Sequence, residues 1–570
     1  MNRSTLLGLL TAGFFTLVAL LSLIKTPFYT SHDGFVHTTR IAAYYRTIKD
    51  GQFPPRWATN LNAAMGSPIF TYIYPLPYFL GGVFHLVKFS YQDSFRLVMI
   101  TSTLASAVFM FWWLKENFGN LAALVGAVYY VWVPYRFLNL YVRAAYAENL
   151  AYAFIPLVLL SVQKIYQSKK ANLWQFLLAF STTALLLSHN EIAAISLPVA
   201  FGWALLWAFL TRKWNSLIRV CLFFLAGFLM ASFIYLPDFL ERQYIFFDKG
   251  MSYYFNYFVA WWQLLRSPWG YGFDLGGTLH DGMSLQLGLA QILSVIVSVA
   301  MIGWTLIRNR GRKISLQTWT AIFFLAILGI VIFLMVDQPY IRRIWEALPL
   351  ITTIVDFPWR FLGIASLAIA FLAAFVVSRI KFPTLMAVIL IVLTLVANRN
   401  HLRINQSLSI TDPVFDAYRG TSTAASNEFT PQWHQSAGFV ENSSPVSAIY
   451  GSAKLSGMTN NAFGTSFNVE VAGPAAVRIN RFYFPQTDIY SNNNLLVKDK
   501  DWNIINVPTT PNYDDTGLIL LKILPPGGNY VLKFGETPLR KTADFISLAT
   551  FIAMALLFIK SFKWKRKSII

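Results

Sequence analysis

Charge is scarce in this chain, and cysteine scarcer. Only 13% of its 570 residues are Asp, Glu, Lys or Arg, against about 25% in ordinary soluble domains, so most of the chain lacks the means to make a water-facing surface. The single cysteine, Cys221, lies in an apolar run, which excludes an intrachain disulfide, a thiolate metal cluster and C-x-x-C redox chemistry. Any extracytoplasmic domain must therefore fold on its core alone. A nucleophile elbow, a Gly-rich nucleotide loop, an H-E-x-x-H pair and a short-period repeat are missing too, so soluble nucleotide-sugar chemistry has no visible binding site.

What is present is apolar: 56% of the residues, with a mean hydropathy of +0.49, the signature of an integral membrane protein. Runs able to supply the ~20 residues that cross a ~30 Å hydrocarbon core occur near Leu6 to Leu23, Ser94 to Leu114, Leu121 to Val133, Leu150 to Val162, Trp174 to Leu187 and Ile192 to Leu210. Others follow near Leu217 to Leu236, Leu285 to Ile307, Trp319 to Val336, Phe361 to Val377, Pro383 to Val396 and Phe545 to Ile559. The expectation is a polytopic α-helical membrane protein of about 12 spans. Pro68 to Val87 is apolar but holds three prolines and three tyrosines, and reads as re-entrant or interfacial.

The formal charge of +20 would ordinarily raise nucleic acid as a partner. With Pro68 to Val87 not crossing, the short cytoplasmic pieces carry 19 cations, from Arg3 through Lys567, against one anion, Glu116. That is the distribution that orients membrane proteins, so the excess is a topology signal and nucleic acid drops out. Both termini are expected in the cytoplasm of a cell (inner) membrane protein, with the first run an uncleaved signal anchor. The outward pieces are then residues 25–91, 237–284 and 398–541. The last holds 12 cations and 11 anions, alternates as strands do at Ser466 to Val471, Val477 to Phe484, Leu518 to Ile523 and Tyr530 to Phe534, and turns at Pro525 to Gly528. It reads as an antiparallel β-sandwich. The expected division is residues 1–397 for a transmembrane domain, 398–541 for an extracytoplasmic β-rich domain, and 542–570 for a final helix and basic tail.

Ionisable residues at the outward ends of spans are the informative ones, because burying them is costly unless they have a role. His32 and Asp33 follow the first span and lead into a helix that places Asp33, His37 and Arg40 on one face; Asp33 or Ser31 merely capping that helix is the plain alternative. Arg136 and Arg143 are seven apart and able to share a face, which would aim two guanidiniums at one anion such as a lipid phosphate. Glu148, just before an apolar span, has the desolvation that raises a carboxyl toward the range of a general base; snorkelling arginines with Glu148 as counter-ion is the alternative. Ser188-His189-Asn190-Glu191 sits in a corner with almost no loop. Asp356 and Arg360 open the tenth span at i, i+4, where a local ion pair serves equally well. Arg342 and Arg343 read as rim charges or a second phosphate contact.

The order of these pieces resembles the GT-C superfamily of polytopic glycosyltransferases, in which an acid follows the first span, a Pro-rich amphipathic stretch comes next and a second acidic site lies between the third and fourth spans. Here those are Asp33, Ser67 to Tyr78, and Glu148. More closely, His32-Asp33, Tyr141 to Glu148, Leu187-Ser-His189-Asn190, Pro268 to Gly272, Phe357-Pro-Trp-Arg360, Phe482 to Pro485 and Gly527 to Arg540 are similar to a prokaryotic membrane family named for a 6-pyruvoyl-tetrahydropterin-synthase-related domain. Pterin chemistry itself would need a soluble metal site that the sequence lacks.

The resemblance implies a membrane enzyme that transfers a sugar, with inversion, from a polyprenyl-phosphate donor to an extracytoplasmic glycan, lipid or protein acceptor. Asp33 or Glu148 would be the catalytic base. His32, His37, Arg40, Arg136, Arg143, His189, Asn190 and Arg360 would bind the donor phosphate and substrate, with tyrosines from Tyr72 to Tyr78 and aromatics from Tyr253 to Trp269 stacking on the sugar. No cofactor is certain. Asp33 is followed by Gly34 rather than the second acid common in the superfamily, which counts against a divalent cation, since hard cations want several oxygen ligands; Asp33 and Glu148 are its ligands if one binds. A flippase or transporter of a lipid-linked glycan, or a non-catalytic envelope assembly protein, are the alternatives.

Overall fold

The structure is a computed structural model and describes residues 2–168, 171–246, 256–273, 282–308, 313–421, 428–434, 439, 444–497 and 516–567. Each of the twelve apolar stretches is helical over most of its length. Among the described residues, 8 helices are long and apolar enough to cross a membrane, or up to 10 when each of two bent pairs counts as one span. The expected twelve is not reached. Arg3–Ala19 and Asn172–Ser188 belong with the shorter apolar helices; the first has 17 residues, about 25 Å at 1.5 Å per residue against a core of ~30 Å. One bent pair, Asn120–Val131 and Pro134–Val142, turns by 49° next to Pro134, which has no N–H to continue the ladder.

Two helices lie in the middle of the bundle. The span windows of Tyr146–Gln167 and Pro358–Arg379 are 89% and 94% buried, whereas that of Pro538–Lys560 is 11% buried and lies at the rim. Small residues explain the central place of the second: Gly363, Ala365, Ala368, Ala370, Ala373 and Ala374 let neighbouring helices approach closely. Pro68 to Val87 forms a short turn, Ile69–Thr71, and an 11-residue helix, Leu76–Leu86. At about 16 Å that helix is too short to cross.

The C-terminal part is β-rich. Strands β1 (Phe28–Tyr29) and β2 (Ser407–Leu408) pair with each other, tying the start of this part to the segment that follows the first helix. The next strands are β3 (Val446–Tyr450), β4 (Ala453–Asn461), β5 (Gly464–Val471), β6 (Ala475–Phe482), β7 (Thr487–Ser491), β8 (Asn494–Val497), β9 (Leu518–Ile523) and β10 (Gly527–Phe534). They make a five-stranded sheet in the order β4-β5-β10-β7-β8 and a three-stranded sheet, β3-β6-β9, with every pairing antiparallel. Phe467, Val469, Ile489, Tyr530 and Leu532 of the larger sheet share one core with Val446, Val477, Ile479, Ile519 and Leu521 of the smaller, as facing sheets do. Because β9 and β10 belong to different sheets, Pro525 to Gly528 passes the chain from one sheet to the other.

Buried arginines join this part to the helices. Arg56, fully buried, pairs with Glu536 at 3.3 Å and Asp544 at 2.8 Å and donates to the Phe233 carbonyl. Arg540 pairs with Glu241 at 2.7 Å and lies over the rings of Phe484 and Phe534. Arg481 lies 4.7 Å over the Trp57 ring and donates to the carbonyls of Asn461 and Ala462. Buried ion pairs add little net stability, yet losing one partner is costly, so these contacts fix how the two parts meet.

Candidate active site

The His32-Asp33 segment is held by backbone. After β1, His32 N–H donates to the Val142 carbonyl and Asp33 N–H to the Arg143 carbonyl, each at 3.0 Å. The helix Gly34–Lys49 then begins with Asp33 as its N-cap. Glycine at 34 allows the approach: a Cβ there would lie 2.5 Å from Ser31 Oγ and 3.4 Å from the Ala144 Cβ. Ser31 Oγ accepts from Gly34 N–H at 3.3 Å, whereas the Asp33 side chain makes no cap hydrogen bond. Among the described residues the half-buried Asp33 carboxylate has no hydrogen-bond or ion-pair partner. One turn on, His37 Nδ1 and Arg40 Nη1 both meet the Tyr78 hydroxyl, at 2.9 and 3.2 Å. Burial, reinforced by Arg40, holds the His37 imidazole well below its ordinary pKa.

Glu148 lies in the first turn of Tyr146–Gln167 and is 1% exposed. Its Oε1 accepts from Tyr135 at 2.6 Å, Tyr152 at 2.8 Å and Asn139 at 2.9 Å. Its Oε2 pairs with Arg143 Nη1 at 2.9 Å and Arg360 Nε at 3.7 Å. Gly363 keeps this arrangement possible, since a Cβ there would lie 2.1 Å from the Tyr152 hydroxyl. Arg143 makes every one of its side-chain hydrogen bonds through Nη1, to Asn139, Glu148 and Tyr135; among the described residues its Nε and Nη2 make none. The backbone is unusual here too. A π-helical turn, Leu138–Val142, precedes Arg143, and Ala144 adopts a left-handed φ of 54°, a conformation that costs a non-glycine residue about 1–2 kcal/mol.

Arg360 sits among three acids. It contacts Glu191 closely, Asp356 at 3.8 Å and Glu148 at 3.7 Å. His189 caps Asn190–Thr211, with Nδ1 accepting from Ile192 N–H at 3.3 Å, so the ring proton is on Nε2. The ring stacks on Tyr74 at 4.9 Å. Asn190 Oδ1 accepts from Glu191 N–H at 2.9 Å.

Several expectations change. Glu148 is no free base: donors fill both oxygens, and a divalent cation would have to displace two guanidiniums, so the pair Asp33 and Glu148 does not fit a metal. Among the described residues no cluster of three or more His, Cys, Asp or Glu is arranged to hold one. Arg136 and Arg143 do not aim at one anion, because Arg136 is fully buried, lies over the rings of Tyr152 at 4.9 Å and Tyr130 at 5.6 Å, and donates to Ser106. The π-helical turn separates the two side chains. His189 is not a cation, since burial and then Arg360 lower it to about 3; it offers a neutral Nε2–H. Tyr72 and Tyr78 are buried and occupied as framework, with the Tyr72 hydroxyl donating to the Glu241 carbonyl, so neither stacks on a sugar. Tyr253 and Tyr254 lie outside the described residues. Arg342 pairs with Asp337 at 2.7 Å and is a rim charge.

Tyr135, Asn139 and Tyr152 were not singled out from sequence, and Glu191 was noted only as part of the Ser188 to Glu191 corner, with no role. The signal was present: Tyr135, Asn139 and Arg143 recur every four residues, as do Glu148 and Tyr152, a polar stripe in an apolar stretch.

The model of a membrane-protein family, described as the 6-pyruvoyl-tetrahydropterin synthase related domain, matches residues 70–404. The chain belongs to this family. The matched segment contains Glu148, His189 and Arg360, and Asp33 precedes it. A protein of Lactococcus lactis subsp. cremoris (strain MG1363), named only as uncharacterized, is 26% identical over 191 residues, 32% of this chain. The matched region spans 31% of that relative's length. The cryo-EM structure of arabinofuranosyltransferase AftD from mycobacteria is similar at a TM-score of 0.45 and 16% identity, over 70% of this chain and 26% of that one. A mutant form of the same enzyme gives 0.39 and 14%, over 70% and 28%. Neither likeness is close enough to carry an argument.

Proposed function

We propose that this family member is a GT-C-like membrane glycosyltransferase that moves a sugar, with inversion, from a polyprenyl-phosphate donor to an extracytoplasmic acceptor. One observation carries the reading. The Asp33 carboxylate and the Nε/Nη2 edge of Arg143, both without a hydrogen-bond partner among the described residues, belong to residues joined by a 3.0 Å backbone hydrogen bond. A carboxylate without donors is available to take a proton from an acceptor hydroxyl as C1 of the sugar gains oxocarbenium-like charge. A guanidinium edge held from behind by Glu148 matches the planar geometry of a phosphate. Negative charge grows on the leaving lipid phosphate, so a cation already fixed in place favours the transition state. Arg360, and the Nε2–H of His189, extend that edge.

In this account Glu148 and Glu191 are positioning groups that hold Arg143 and Arg360. Residues 1–397 form the catalytic membrane domain, residues 398–541 an outward β-rich domain, and the 538–567 helix returns the chain to the cytoplasmic side. A topology reporter within residues 398–541 should read outside, and one after Lys313 inside. The decisive test is turnover: purified full-length protein, given a polyprenyl-phosphate-linked sugar and an acceptor, should release free polyprenyl phosphate, and Asp33→Asn should abolish that release.

A further inference from the structure

The other side of the Asp33 segment carries a feature that the phosphate chemistry does not use. His32 Nε2 faces the Tyr271 carbonyl at 3.1 Å. A carbonyl only accepts, so in the neutral ring the proton is on Nε2 and Nδ1 is an acceptor. That Nδ1 is buried and has no partner among the described residues. The His32 ring lies 5.6 Å from Phe273, which is 47% exposed. Behind Phe273 stand Tyr257 at 5.5 Å, Trp359 at 5.7 Å and Phe357 at 6.0 Å. Trp359 is 1% exposed, and its Nε1–H is likewise buried without a partner among the described residues.

An exposed aromatic face on a rigid aromatic base, beside an unmatched acceptor and an unmatched donor, marks a binding surface. A prenyl chain would cover the ring but leave both polar atoms unsatisfied, a costly outcome for buried groups. A sugar ring has an apolar C–H face for the phenyl ring and hydroxyls that both donate and accept. We infer that Phe273 and His32, backed by Trp359, form a carbohydrate subsite that seats a ring of the acceptor, with a hydroxyl donated to His32 Nδ1. Naming the ring as the acceptor's rests on the transferase reading, in which Asp33, the next residue along, takes the acceptor's proton.

The test uses full-length protein in lipid nanodiscs and a panel of methyl glycosides of hexoses, deoxyhexoses and pentofuranoses, read by saturation-transfer NMR. At least one glycoside should bind the wild type. Phe273→Ala should weaken it by about tenfold or more, and so should Phe273→Leu, which keeps the apolar bulk but removes the aromatic face. Asp33→Asn should retain binding. A prenyl-phosphate-linked sugar should bind together with the glycoside. No binding across the panel, wild-type affinity in Phe273→Leu, displacement of the glycoside by a plain polyprenol, or its displacement by the lipid-linked sugar would each overturn the assignment. A wild type that binds glycoside yet transfers no sugar would sink the transferase reading and leave the subsite standing. Normal transfer with no glycoside binding and no effect of Phe273→Leu would do the reverse.

Discussion

Asp33 and Glu148 are acids at equivalent places, the first a helix N-cap and the second in the first turn of a helix, where the helix dipole favours negative charge in both. Their surroundings differ. Around Glu148 the chain supplies two tyrosine hydroxyls, an asparagine amide and two guanidiniums; around Asp33 it supplies backbone contacts and, among the described residues, no side-chain donor. Residue type and helix position therefore do not tell the two acids apart, whereas the number of donors does, and the proposed roles of base for Asp33 and positioning group for Glu148 rest on it.

Exchanging the consequences of the two acids would break that contrast. Asp33→Asn keeps shape but removes the proton acceptor, so turnover should fall by roughly 10²- to 10⁴-fold, the usual share of general-base catalysis, with melting temperature and donor binding unchanged. Glu148→Gln should act the other way. It leaves two guanidiniums without their shared anion, and breaking a buried pair costs about 3–5 kcal/mol, read as a lowered midpoint in thermal unfolding. If Asp33→Asn destabilised the protein and Glu148→Gln only slowed it, the two roles would be reversed.

Arg143→Lys sharpens the contrast by keeping charge while removing the fork. Donor affinity should drop by about 10- to 100-fold, the worth of a charge-assisted hydrogen bond, measured by isothermal titration with a prenyl phosphate. The smallest effect belongs to Asp356. Burial, with Glu428 nearby, pushes its carboxyl up to about 6. Below that pH it is neutral and leaves Arg360 to the phosphate; above it the new carboxylate competes for Arg360. Donor KM should therefore rise a few-fold as pH passes upward through about 6, and Asp356→Asn should flatten that limb. His189, lowered to about 3, should add no limb between pH 5 and 8.

The periodic parts of the molecule were readable in the sequence. Apolar runs of the right length became helices, and the alternation at Ser466 to Val471 and Leu518 to Ile523 became β5 and β9. The first apolar run falls among the shorter helices because its helix is interrupted at Leu20 before resuming at Leu21–Lys25, a break that an apolar run does not announce. The clustering of Asp33, Arg143, Glu148, His189 and Arg360 was visible as ionisable residues at span ends, but their pairings were not. A seven-residue spacing put Arg136 and Arg143 on one face under regular helix geometry, and a π-helical turn separated them. Asp356 meets Arg360 from four residues upstream, as its spacing suggested, but Glu148 and Glu191 reach it from two other helices, so no local pattern announces a guanidinium shared by three acids. Similarly, burial alone suggested a free base at Glu148, and only the tertiary supply of donors shows both of its oxygens occupied.

The central claim is that a glycosyl bond breaks at Asp33. Its most direct test places wild-type protein and Asp33→Asn in nanodiscs with a polyprenyl-phosphate-linked sugar and an acceptor, and follows both free polyprenyl phosphate and the anomeric configuration of the product. The account predicts that the wild type releases polyprenyl phosphate and forms a product of inverted configuration, and that Asp33→Asn does neither while still binding the donor. A wild type that carries the lipid across a bilayer without ever releasing polyprenyl phosphate would contradict it.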